Sequence, residues 1–275
     1  MIGLVHLVWA PLGPEPLREF LRSYHAHPAG AEHELVIALN GARHAGAGGS
    51  SREALLAELS GTEHRLIVLE EPMLDLAAYD AAARRLEHPQ LCLVNSYSVV
   101  LADGWLGRLA QGLEQHDVGL VGATGSWESQ AEWMRGRVRH RAQQLITLRP
   151  ARRDYPRFPN PHIRTTGFAI GRARLLEMGL DRVRDKRSAY LRESGRASIT
   201  RRVREQGLRT VVVGRDGRAY DVDEWPASRT FRSGEQENLL IADKQTRDYE
   251  RATSRRRRRL CRDSWGDAYC SDGGR

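Results

Sequence analysis

The sequence lacks long apolar runs, and this absence bounds the class of protein. No stretch approaches the ~18 consecutive apolar residues of a membrane-spanning helix, so we do not expect an integral membrane protein. The segment Met1–Trp9 has neither the basic start nor the small-residue cleavage site of a signal peptide. Its apolar residues instead predict a first β-strand.

Cysteine is also scarce. The three cysteines, Cys92, Cys261 and Cys270, stand at spacings that fit neither a zinc site nor a disulfide framework. This predicts a protein of a reducing compartment, in the cytoplasm. Cys92 lies in an apolar run and is expected to be a small buried residue.

Lysine is almost absent, since Lys186 and Lys244 are the only lysines among 43 basic residues. The formal net charge is +8, and residues 251–275 contribute +5 of it with eight arginines and three aspartates. The basic character therefore belongs mainly to the end of the chain, around Arg255–Arg259. A nucleic-acid-binding fold would spread such charge over a folded surface, so we do not expect specific nucleic-acid binding.

The first 125 residues alternate short apolar runs with amphipathic stretches. Apolar runs predict strands at 3–9, 34–39, 65–69, 91–94 and 118–122, and helical spacing predicts helices at 15–25, 53–59, 76–86 and 104–114. This rhythm predicts βαβ units, and hence an α/β fold with a mainly parallel central sheet and flanking helices. Such sheets bind ligands at the carboxyl ends of their strands.

The second half of the chain is less regular. A basic helix is predicted over 132–145, and further strands over 166–170 and 210–213. Helices are predicted over 172–178 and 198–206, the second of which ends at Gly207. A length of 275 residues lies near the upper limit for one hydrophobic core, so we expect one domain with a tail.

Four segments place polar residues or glycine next to the ends of predicted strands or helices. They are the strand that ends at Asn40, the run Leu93–Ser98 followed by Leu101–Leu106, the segment Thr166–Leu176, and the segment Tyr190–Arg202 followed by Thr210–Val213. In this order they resemble the inverting family-2 nucleotide-sugar glycosyltransferases over about residues 3–250. The resemblance implies one Rossmann-like GT-A domain at 1–250, with a nucleotide-sugar-binding half at 1–125 and an acceptor half at 126–250. Residues 251–275 are expected to form an Arg-rich, flexible tail.

The sharpest departure from the family lies at its Asp-x-Asp motif. Asn95 and Tyr97 occupy the two acidic positions, whereas the downstream Asp103-Gly104-Trp105-Leu106 matches closely. Hard divalent cations prefer carboxylate oxygens, so the Mg²⁺ or Mn²⁺ that the resemblance suggests is left open, and no metal ligand is assigned. Asn95 could coordinate through its amide oxygen, or nearby arginines could replace the charge of the metal.

The resemblance also assigns roles to individual residues. Glu193 would be the general base that deprotonates the acceptor hydroxyl, with Ser194 where the family usually has an aspartate. Contacts to the donor would come from Ala10, Asn40, Asp75, Asn95, Ser96, Tyr97 and Gly167. Contacts to the diphosphate or the acceptor would come from Trp127, Glu128, Arg164, Arg196 and Arg201.

Structural alternatives exist for these assignments, because a glutamate among arginines is often a surface ion pair and Asp75 could be a helix cap. The first functional reading is an inverting transferase that takes a nucleoside-diphosphate sugar and a glycan or lipid-linked hydroxyl acceptor. The second is a non-catalytic relative that binds a nucleotide or a glycan. In either case we expect a cytoplasmic protein, with Arg255–Arg259 making a peripheral contact to the inner face of an anionic membrane.

Overall fold

The computed structural model describes residues 1–45, 52–131 and 153–270. Its strands are β1 (Ile2–Trp9), β2 (His33–Asn40), β3 (Arg65–Leu69), β4 (Gln90–Val94), β5 (Val99–Val100), β6 (Val118–Gly122), β7 (Gly125–Ser126), β8 (His162–Ile163), β9 (Gly167–Gly171), β10 (Arg209–Val213), β11 (Ala219–Tyr220) and β12 (Ile241–Ala242). Its helices are α1 (Glu15–Ala26), α2 (Arg52–Glu58), α3 (Asp75–Ala83), α4 (Trp105–Glu114), α5 (Arg172–Glu177), α6 (Lys186–Glu193), α7 (Ile199–Glu205), α8 (Lys244–Glu250) and α9 (Ser254–Trp265).

Eight strands form the central sheet in the order β11-β10-β6-β9-β4-β1-β2-β3. Strand β9 runs antiparallel to its neighbours β4 and β6, and β11 runs antiparallel to β10. The remaining pairs in the sheet are parallel. The predicted α/β class with a mainly parallel sheet is confirmed.

Burial on both faces explains why the strands of the first half are continuous apolar runs. Every residue of β1 except Trp9 is buried, as expected for a strand that helices cover on both sides. Helix α1 is amphipathic and buries Leu17, Phe20 and Leu21. The predicted strands at 3–9, 34–39, 65–69, 91–94 and 118–122 all fall within strands of the structure.

The end of the chain differs from the flexible tail that the sequence predicts. Residues 254–265 form helix α9, which buries Cys261 and Trp265 against the body of the protein. The Trp265 indole N–H donates to the Phe231 carbonyl at 2.7 Å. The prediction of a flexible tail is therefore wrong for this helix, because the arginine run conceals an apolar pair spaced four residues apart. Residues 271–275 lie outside the described ranges, as does the basic helix predicted over 132–145.

The cysteine prediction also needs correction. Cys261 and Cys270 form a disulfide with their Cα atoms 5.8 Å apart, while Cys92 is free and buried as expected. The disulfide joins the last turn of α9 to the segment that follows it. Within the described ranges no helix combines the length and the apolar character that crossing a bilayer requires.

Candidate active site

A cleft of ≈ 390 Å³ opens at the carboxyl ends of β1 and β3. One part of its lining comes from Trp9 and from the segment between β3 and α3. The other part comes from the start of α6 and the residues before it. The lining residues are Trp9, Pro72, Met73, Leu74, Ala77, Val183, Arg184, Asp185 and Lys186. A ligand at the carboxyl edge of a parallel sheet is the usual arrangement in open α/β folds.

Asn40 and Met73 exchange two hydrogen bonds beside this cleft. The Asn40 amide nitrogen donates to the Met73 carbonyl at 2.7 Å, and the Met73 N–H donates to the Asn40 amide oxygen at 2.9 Å. The Asn40 side chain is fully buried, so it acts on the cleft through Met73. An aspartate could accept from the Met73 N–H but could not donate to its carbonyl, which explains why an amide stands here.

The segment 95–97, which replaces the Asp-x-Asp motif, forms a turn next to Trp9. The Trp9 N–H donates to Ser96 Oγ at 3.0 Å. Asn95 Oδ1 accepts from the Tyr97 N–H at 2.9 Å and lies 3.2 Å from the Ser98 hydroxyl. The Tyr97 side chain is 37% exposed. The turn therefore contacts the Trp9 end of the cleft, with Asn95 holding its backbone shape.

The residues of this turn do not fit the divalent ion that the sequence resemblance suggests. The Asn95 amide oxygen already accepts from the Tyr97 N–H inside the turn, and neither motif position supplies a carboxylate. Among the residues that the structure describes, no three His, Cys, Asp or Glu side chains gather as a metal site would require.

Glu193 is the last residue of α6, and its carboxylate is half-buried next to Thr165. The Thr165 hydroxyl donates to Glu193 Oε1 at 3.3 Å. Burial, and then the negative charge of Asp75, raise the pKa of Glu193 to about 7, while Thr165 and Arg164 act in the opposite direction. A small cavity adjoins the carboxylate and is also lined by Phe168 and Thr200.

Asp75 and Tyr79 lie one turn apart at the start of α3, close to Glu193. Asp75 is exposed to solvent at its surface, yet desolvation by the surrounding protein raises the pKa of its carboxyl. Tyr79 is fully buried, and its hydroxyl has no hydrogen-bond partner within the described ranges. Burial, followed by the charges of Asp75 and Glu193 among others, raises the pKa of Tyr79. Helix α3 thus joins the two parts of the site, since Ala77 lines the cleft.

Trp127, Glu128 and Arg164 make internal contacts with the C-terminal part of the chain. Glu128 pairs with Arg232 at 2.8 Å, and Arg164 pairs with the buried Asp243 at 2.9 Å. The Trp127 indole N–H donates to the Val222 carbonyl, and its ring packs edge-on against Trp265 and Tyr269. These three residues hold residues 222–269 to the body of the protein.

The remaining predicted site residues are dispersed. Arg196 is exposed and donates to the Arg153 carbonyl at 3.0 Å, and Arg201 pairs with Glu205 along α7 at 3.0 Å. Ala10 is buried in the turn after β1. Gly167 has a packing role, because a Cβ there would lie 2.7 Å from the Ile241 side chain.

Sequence reasoning missed several residues that line the cleft or touch Glu193, namely Trp9, Met73, Thr165, Arg184 and Lys186. Trp9 carried a usable signal, since it is an aromatic residue at the end of an apolar strand. Thr165 directly precedes the segment Thr166–Leu176, on which part of the sequence resemblance rests. Arg184 and Lys186 carried none, because only the tertiary fold brings the start of α6 to β1.

No protein-family model matches the sequence, and no curated protein does either. Solved structures that it resembles include a mannosyltransferase of Pyrobaculum calidifontis in complex with GDP-Man and Mn²⁺, at 13% identity and a TM-score of 0.48 over 83% of this chain and 59% of that one. Another is glucosyl-3-phosphoglycerate synthase of Mycobacterium tuberculosis with Mn²⁺ and UDP, at 12% identity and a TM-score of 0.38 over 63% and 57% of the two chains. A third is 4-diphosphocytidyl-2C-methyl-D-erythritol synthase of Anaerococcus prevotii, at 9% identity and a TM-score of 0.46 over 78% and 88%.

The chain therefore spans less than two thirds of the first two proteins. At these identities and scores, the likeness carries no argument about activity, which has to come from the chain's own residues.

Proposed function

We propose that the protein is a glycosyltransferase that moves a sugar from a nucleoside-diphosphate donor to a hydroxyl acceptor with inversion, using Glu193 as the general base. The observation that carries the proposal is the raised pKa of Glu193, about 7, at the end of helix α6, whose first residue lines the cleft at the carboxyl edge of the sheet. A general base works best when its pKa lies near the working pH.

The chemistry assigned to Glu193 is a single displacement. Its carboxylate takes the proton of the acceptor hydroxyl while the acceptor oxygen forms a bond to the anomeric carbon of the donor sugar. The bond from that carbon to the diphosphate breaks on the opposite face, and the nucleoside diphosphate leaves with the electron pair. The acceptor would be a glycan or a lipid-linked hydroxyl compound.

The donor is proposed to lie in the cleft. Trp9, Met73 and Leu74 offer apolar surface to the base and ribose, while Arg184 and Lys186 offer cations to the diphosphate. Ala10, Asn40, Asp75 and Gly167 would shape this site. Ser96 and the Asn95–Tyr97 turn would support the donor at its Trp9 end.

Further contacts to the diphosphate or the acceptor are proposed for Trp127, Glu128, Arg164, Arg196 and Arg201. Of these, Arg164 has a direct electrostatic link to the proposed base, since its positive charge lowers the pKa of Glu193. The Asn95–Tyr97 turn supplies no carboxylate to Mg²⁺ or Mn²⁺, so no residue of the turn is proposed as a metal ligand.

A second function is a non-catalytic protein that binds a nucleotide or a glycan. The loss of both carboxylates at Asn95 and Tyr97 favours it. The two functions differ in whether Glu193 matters for turnover, because a binding protein has no need of a base.

The test begins with thermal unfolding in the presence of UDP-, GDP-, dTDP- and CDP-sugars, each with and without Mn²⁺. A ligand that binds the folded state raises the melting temperature. Transfer from the stabilising donor is then compared in the wild type, Glu193→Gln and the control Glu114→Gln, whose side chain is exposed at the end of α4. We expect Glu193→Gln to lose at least about 100-fold in rate with donor affinity unchanged, and Glu114→Gln to behave as the wild type.

Donor binding without transfer in the wild type would favour the binding protein. A Glu193→Gln variant that is as active as the wild type would remove Glu193 from the mechanism.

A further inference from the structure

Helix α9 has a fixed orientation on the protein. Its inner face buries Cys261, Ser264 and Trp265, and the Cys261–Cys270 disulfide ties its last turn to the following segment. Arg257 also turns toward the body, where it pairs with Glu235 at 2.7 Å. The opposite face of the helix must therefore point away from the protein.

That outer face carries a row of arginines. At ~100° per residue, Arg255, Arg259 and Arg262 fall on one side of the helix, roughly opposite the buried Ser264, and Arg256 and the exposed Asp263 border them. All four side chains are exposed. We call Arg255, Arg256, Arg259 and Arg262 the basic stripe. Its only contact to an acid within the described residues is that of Arg262 to the exposed Asp267 at 3.9 Å.

Two exposed aromatic side chains lie at the C-terminal end of the same helix. Phe158 is 36% exposed and Tyr269 is 48% exposed. Phe158 reaches Gly266, where an added Cβ would lie 3.4 Å from its ring, and Tyr269 packs edge-on against Trp127. Both rings are thus held by the protein while part of each faces solvent.

We propose that the basic stripe, together with Phe158 and Tyr269, binds the surface of an anionic phospholipid bilayer. Arginines on one outward helix face pair with lipid phosphates, and neighbouring aromatic rings suit the boundary between headgroups and acyl chains. A single-stranded nucleic acid fits less well, because the basic stripe lies on the outer face of one helix and not in a groove that could follow a nucleic-acid backbone. Binding to lipid at this surface does not require the proton transfer assigned to Glu193.

The experiment is co-sedimentation of the full chain with vesicles of phosphatidylcholine alone or of phosphatidylcholine mixed with phosphatidylglycerol. The wild type should pellet with the anionic vesicles and stay in solution with the neutral ones. Arg255→Glu/Arg259→Glu should lower the partition coefficient by about tenfold or more, since each arginine contributes to attraction at the surface. The control Arg22→Glu/Arg204→Glu makes the same charge change at exposed positions of α1 and α7 and should bind as the wild type.

A second variant separates the aromatic contribution from charge. Phe158→Ser should leave binding at low salt nearly unchanged and abolish the part that survives at high salt, where charge attraction is screened. Melting curves establish that each variant is folded. Equal binding by the stripe variant and its control would overturn the proposal. The proposal would also be overturned if the wild type bound an RNA or DNA oligonucleotide but no vesicles, and if the stripe variant lost that oligonucleotide binding.

Discussion

Thr165 and Glu193 form the hydrogen bond at the centre of the candidate site, with 3.3 Å between the hydroxyl and the carboxylate. Among the described residues it is the one hydrogen bond that Glu193 receives through its side chain. It opposes burial and the charge of Asp75, which together raise the pKa of Glu193 to about 7. Because one hydrogen bond does not offset burial and the charge of Asp75, the ionised carboxylate destabilises the folded state. The same raised pKa suits Glu193 to act as a general base.

That cost predicts a stabilising substitution. The pKa of Glu193 rises from an ordinary 4.5 to about 7 on folding, so its stability contribution is full below pH 4.5 and is lost as the pH rises through 7. The loss amounts to as much as about 3 kcal/mol. Urea unfolding at pH 8 should therefore find Glu193→Gln more stable than the wild type, and the gain should shrink toward pH 4.5. A variant that is less stable at pH 8 would show that Glu193 is not strained in the fold.

Asn40→Asp tests the link between Asn40 and Met73. The substitution removes the donor to the Met73 carbonyl and introduces a charge into a fully buried position. We expect a loss of about 1–3 kcal/mol in the free energy of unfolding, with weaker donor binding because Met73 lines the cleft. Gln111→Glu, which adds the same charge at an exposed position of α4, is the control and should change neither quantity. Full stability of Asn40→Asp would show that the amide is not required.

His6 predicts acid sensitivity of the fold. Its ring is fully buried, stacks on Phe20 at 3.7 Å, and has no hydrogen-bond partner among the described residues. Burial lowers the pKa of His6 from 6.5 to about 3. Its stability contribution is therefore full above pH 6.5 and is lost as the pH falls toward 3.

The measurement is urea unfolding at pH 7 and pH 4.5 for the wild type and His6→Leu. Acidification from pH 7 to pH 4.5 should lower the free energy of unfolding of the variant by about 2–3 kcal/mol less than that of the wild type. This follows by linkage, because pH 4.5 lies about two units below the unfolded pKa of histidine. His25→Gln, at an exposed position of α1, should follow the wild type. Parallel curves for all three proteins would contradict a neutral, buried His6.

The sequence indicates the sheet better than it indicates the site. Strand β1 and helix α1 are predictable because burial on both faces, or on one face, leaves a local pattern in the residues. The hydrogen bonds between Asn40 and Met73 join residues 33 positions apart, and no local sequence pattern predicts them. The internal contacts of Trp127 and Arg164 are similarly hidden, since their partners lie in the last quarter of the chain.

The sequence did not predict helix α9 for a different reason. Five consecutive arginines suggest a solvated chain, yet an amphipathic helix needs only a few apolar residues on one face when the rest of the protein supplies their partners. Cys261 and Trp265 are those residues, and both are buried. The disulfide to Cys270 could not be foreseen from a separation of nine residues alone.

The most direct test of Glu193 as the base is the pH dependence of kcat/KM for transfer in the wild type, Asp75→Asn and the control Asp248→Asn. The deprotonated carboxylate is the active form, so the wild-type rate should rise with pH and level off above an inflection near 7. Asp75→Asn should move the inflection to lower pH, because the Asp75 charge helps to raise the pKa of Glu193, and Asp248→Asn should leave it in place. A flat profile between about pH 5.5 and 8.5, or an inflection that Asp75→Asn does not move, would contradict this account.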